Sequence, residues 1–95
     1  MKEEIIAYVD PDLKDLIPNF LDGIRQDAVK IRTSVAKDDY AVVKSLAHSM
    51  KGAGGSYGFR EISVLGAELI NAAKEQRQEK ISGLVDALVD YLDRR

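Results

Sequence analysis

The sequence predicts an all-α protein, an up-and-down antiparallel four-helix bundle with a short extra N-terminal segment. Three observations carry this prediction. Four stretches place apolar residues at three- and four-residue steps, the connections between them are short and polar, and no stretch alternates as a strand would. A chain of 95 residues holds one modest core, so a single domain spanning 1–95 is expected.

The N-terminal segment rests on Ile5, Ile6 and Val9, which can pack on the end of the bundle. The first long helix follows, with Leu13, Leu16, Ile17, Phe20, Leu21, Ile24, Ala28, Ile31 and Val35 forming one buried stripe. Asp10 and Pro11 suit an N-cap and first helical position. Pro18 then either kinks the segment or opens a second helix after a short one. Asp38 or Asp39 can cap the next helix, whose apolar positions are Val43, Leu46, Ala47, Met50, Ala53 and Tyr57. A third helix from about Arg60 buries Ile62, Leu65, Leu69 and Ala73. The last carries Ile81, Leu84, Val85, Leu88, Val89 and Leu92.

Composition narrows the function classes. A formal net charge of −2 supplies no global field for nucleic acid or an anionic membrane, so neither is an expected partner. No cysteine is present, which removes disulfides and thiolate metal sites. With no bilayer-spanning apolar run and no signal-peptide pattern at the start, the expected location is the cytoplasm.

The chemistry concentrates in the second helix. At about 100° per residue, His48 points away from the apolar stripe, and Ala41, Lys44, Ser45, Lys51, Gly52 and Gly55 share its side. A solvated imidazole keeps a free nitrogen lone pair at neutral pH and is a ready nucleophile. Lys44 and Lys51, one turn to either side, can offset the charge of an incoming phosphoryl group. Gly52 and Gly55 leave a flat patch for a partner's active site. A lone surface histidine is commonly incidental, but these lysines and glycines argue for a role. Phosphoryl transfer depends mainly on positioning and charge, which a small carrier can supply while its partner brings the magnesium.

Three glycines, Gly52, Gly54 and Gly55, fall where this helix should continue, at about 1 kcal/mol each relative to Ala. Either the helix ends there with Gly58 as its C-cap, or something approaches the backbone closely. Other chemistries fit less well. Lys51 precedes the glycines, so the stretch is not a P-loop. One histidine with neither Cys nor an i+4 carboxylate makes a poor metal site, and no metal or other cofactor is expected. Tyr57 and Phe59 read as core or loop plugs, since no basic patch surrounds them.

The run from Ala47 to Phe59 resembles the signature of histidine-containing phosphotransfer domains, H-x-x-K-G followed after five residues by Gly. His48, Lys51, Gly52 and Gly58 fall on the signature positions. The resemblance implies a helical bundle in which His48 accepts phosphate from a histidine kinase or a receiver-domain aspartyl phosphate and passes it to a receiver aspartate. Lys51 then assists electrostatically, Gly52 and Gly55 admit the receiver, and Lys44 and Ser45 join the docking surface. Such a protein is a phosphoryl carrier of two-component signal transduction rather than a true enzyme, with receiver domains or a kinase as partners and itself a monomer.

The wording around His48 is also similar to the phosphotransfer domain of chemotaxis histidine kinases. Without an ATP-binding domain, the chain is either a free-standing carrier or an excised piece. Many relatives place a Glu on the third helix beside the histidine, where this chain has Ile70, and Glu68 or Asn71 could reach the ring instead. Two further readings are a docking module that carries no phosphate and an enzyme using His48 as acid or base on phosphorylated receivers.

Overall fold

A computed structural model describes residues 11–94, with side chains from Leu16 to Arg94; Ile5, Ile6, Val9 and Asp10 lie outside the described residues. Four helices follow one another: α1 (Pro11–Ala36), α2 (Tyr40–Ser56), α3 (Arg60–Lys74) and α4 (Gln78–Asp93). There is no strand among the described residues. Each helix packs on the next and α4 closes back on α1, giving the expected four-helix bundle. No helix among the described residues is long and apolar enough to cross a membrane.

The connections explain why consecutive helices reverse. Each consists of three residues, 37–39, 57–59 and 75–77, and each follows the same local geometry. At the end of α2, Phe59 N–H donates to the Gly54 carbonyl at 2.7 Å and Gly58 N–H to the Gly55 carbonyl at 3.2 Å. This pair of bonds is a Schellman motif, and it needs a left-handed residue at its centre, supplied by Gly58 at φ 84°. The α1–α2 and α3–α4 turns repeat both bonds around Asp38 (φ 58°) and Gln76 (φ 54°). On leaving the first turn the chain starts α2 with the Asp39 carboxylate accepting from Val42 N–H at 3.4 Å.

The core draws on all four helices. Ile24, Ala28 and Ile31 of α1 meet Val43, Ala47 and Met50 of α2, Ile62, Leu69 and Ala73 of α3, and Ile81, Val85 and Leu88 of α4. Among the described side chains, the apolar steps read from the sequence are thus the buried and half-buried stripes, with one correction, while the side chain of Leu13 lies outside them. Leu16, expected inside, is 47% exposed. At 26 residues α1 outruns its neighbours, and Phe20, one turn further on, already stacks on Tyr57 beyond the last residue of α2. Leu16 has therefore passed the ends of the neighbouring helices and has little to pack against among the described residues.

Pro18 neither splits nor ends α1, which is a single helix through it. The proline itself is exposed, on the part of α1 that overhangs its neighbours. Phe20 stacks on Tyr57 with ring centroids 4.3 Å apart and on Phe59 at 5.7 Å, so both aromatics after α2 plug the junction with α1. Arg25–Asp93 and Arg32–Asp86 ion pairs, at 2.7 and 2.6 Å, tie α1 to α4 on the surface.

Candidate functional site

The centre of α2 presents the candidate residues as the face analysis places them. His48 is exposed, while its neighbours Ala47 and Met50 are wholly buried and fix which way the helix is turned. Ala41, Lys44, Ser45, Lys51, Gly52 and Gly55 are exposed on the same side. From Tyr40 to Ser56 the helix contains no acidic residue, so its outward charges are all positive. Among the described residues, nothing hydrogen-bonds or ion-pairs with the side chains of His48, Lys44 or Lys51. Their polar atoms are left to water or to a visitor.

The helix runs on through all three glycines to Ser56 and does not end among them, although the left-handed Gly58 closes the turn after it as one reading expects, and the close approach of the other reading also occurs. The three differ in what surrounds them. At Gly52 and Gly55 an added Cβ would meet nothing within 4 Å, and these positions open the surface beside and below His48. At Gly54 a Cβ would fall 2.7 Å from the Ser63 amide nitrogen of α3. What approaches the backbone there is the next helix, and this division was not legible from glycine spacing.

On α3, Ile70 is buried in the core cluster and brings no polar atom to the histidine. Glu68 and Asn71 are exposed, and neither hydrogen-bonds to His48. Helical geometry gives the reason. Gly66 faces α2, and Glu68 lies about 200° further round, with Asn71 at about 140°, so both turn away from it. Glu68 instead borders a shallow groove with Arg60, Glu61, Val64 and Leu65.

Sequence reasoning passed over Gly66 altogether. It interrupts an apolar stripe between Leu65 and Leu69, and an unexplained glycine inside a helix is the signal that could have found it.

The model of the Hpt domain matches residues 15–95, which takes in all four helices apart from the first turn of α1. The chain belongs to the Hpt domain family. Among curated proteins and among solved structures, nothing matches. Membership assigns this Hpt domain a general role in histidine phosphotransfer within phosphorelays. The sequence contains one histidine, His48.

Proposed function

We propose that His48 is the phosphoryl acceptor of a phosphorelay carrier. The supporting observation is that the one histidine of an Hpt domain stands exposed at the middle of an acid-free helix with a lysine one turn to either side. In the reaction, a lone pair on an imidazole nitrogen attacks the phosphorus of a receiver's aspartyl phosphate. The N–P bond forms as the P–O bond to the carboxyl breaks, and the aspartate leaves as carboxylate. The attacking nitrogen holds no proton, so no buried base is required. Transfer onward reverses these bonds on another receiver, and a histidine kinase can serve as the first donor.

Lys51, with Lys44 on the other side, offsets charge on the phosphoryl oxygens. Gly52, Gly55 and Ser45 form the surface on which the partner's active site rests, and Gly58 ends the helix below it. The partner contributes the magnesium and most of the catalysis, so the protein is a carrier rather than an enzyme. Residues 1–95 act as one monomeric unit, in the cytoplasm with its partners.

Incubation with a phosphorylated receiver or an active kinase should yield an acid-labile, alkali-stable phosphoprotein, and His48→Gln should abolish it. Inorganic phosphate released with no phosphoprotein would instead make the protein a phosphatase. Receiver binding without label would make it a docking module.

A further inference from the structure

The helix pair α2–α3 is packed more intimately than any other in the bundle, and two glycines, Gly54 and Gly66, stand where the backbones come closest. A Cβ built there would lie 2.8 Å from the Lys51 amide nitrogen, 2.9 Å from the Ala47 carbonyl oxygen and 3.0 Å from the Lys51 Cα. In an α-helix that carbonyl and that amide are hydrogen-bonded to each other, four residues apart. Gly66 therefore lies over the bond that closes the turn carrying His48. The atoms in the way belong to backbone, so no side chain can swing aside to make room.

We propose that Gly66 is a positioning residue for phosphoryl transfer, setting the height and tilt of the His48–Lys51 turn by direct contact of one helix backbone with another. This rests on His48 being the acceptor. Seated on α3 without an intervening rotamer, the turn presents imidazole and lysine to a docked receiver at a fixed elevation. Ala is the better helix former, so local propensity favours Gly66→Ala and only the collision with α2 opposes it. The added methyl must push the turn outward by several tenths of an ångström to reach ordinary contact. Transfer between two docked proteins is sensitive to that displacement, because reacting atoms must meet in line.

Two donors separate positioning from reactivity. A phosphorylated receiver has to dock, whereas phosphoramidate is a small molecule that reaches an exposed imidazole from any side. Gly66→Ala should accept phosphate from the receiver about tenfold more slowly or worse, yet react with phosphoramidate at the wild-type rate. Gly54→Ala is the control, since its Cβ would collide with α3 as severely, 2.7 Å from Ser63 N, but six residues beyond His48. It should lose stability while transfer stays within about threefold of wild type. Both variants are measured in a Gln76→Gly background, with circular dichroism reporting the folded fraction.

Equal receiver rates for Gly66→Ala and wild type would overturn the proposal. So would equal losses in the two glycine variants, or failure of Gly66→Ala to fold even in the stabilised background, either of which assigns the glycine to stability alone. A wild-type protein labelled by neither donor would overturn the acceptor role of His48 itself, and this inference with it.

Discussion

Asp27 sits half-buried on α1, and burial raises its carboxyl above the usual carboxylate range while Lys30 pulls it back. A raised folded pKa means that the folded state holds the proton more tightly than the unfolded chain. The contribution of Asp27 is then fully favourable below its unfolded pKa and is lost as pH rises through the folded value. Asp27→Asn should accordingly stabilise the protein at pH 7, and the advantage should vanish by about pH 3, as urea unfolding midpoints at the two pH values will show. His48 stands exposed on α2. Its place was legible because one glance at helical periodicity separates it from Val43, Ala47 and Met50. What α3 offers it was not, since whether Ile70, Glu68 or Asn71 reaches the ring depends on the rotation of α3. That rotation is set by how Gly66 and the buried residues of α3 seat on the other helices, which is a tertiary fact and not one of local sequence. Lys51→Ala tests the charge argument: it should slow transfer from a receiver about tenfold, or roughly 1.4 kcal/mol in barrier, while leaving thermal stability almost unchanged.

Between helices, the three connections share one geometry but fill its left-handed position differently, with Gly58 in one and Asp38 and Gln76 in the others. An L-residue there carries a steric cost of about 1–2 kcal/mol that glycine avoids. Gln76→Gly should recover about 1 kcal/mol of this and raise the melting temperature by roughly 4–8 °C, read by circular dichroism. Asp38→Gly should gain less, because the Asp38 carboxylate accepts a hydrogen bond at 3.3 Å from Gln78 on α4 that the change removes. The helices themselves were plain in the sequence, since a 3.6-residue apolar period over fifteen or more residues has few other solutions. Pro18 was ambiguous for a physical reason. Beyond the first turn a proline costs the helix one hydrogen bond, and whether the helix survives that loss depends on the tertiary position of the segment, here the overhang of α1. Gly52, Gly54 and Gly55 were ambiguous in the same way: their open and packed roles differ by which side of α2 meets α3.

For the molecule as a whole, stability comes from the shared apolar core more than from the surface. The Arg25–Asp93 and Arg32–Asp86 pairs are exposed, and exposed pairs contribute about 0–1 kcal/mol each. Breaking both with Asp86→Asn and Asp93→Asn should shift the denaturation midpoint little, whereas Phe20→Ala, which removes two ring stacks, should cost about 2–3 kcal/mol. The acid-free stretch of α2 has a different consequence, for motion before contact. With a net charge of −2, the protein as a whole is pushed back by an acidic partner, while the lysines of α2 are drawn forward. Opposed forces on different parts of one body make a torque. The molecule would thus be turned as it diffuses, and collisions made tail-first would be discouraged at a distance where no atom of either protein has yet touched the other.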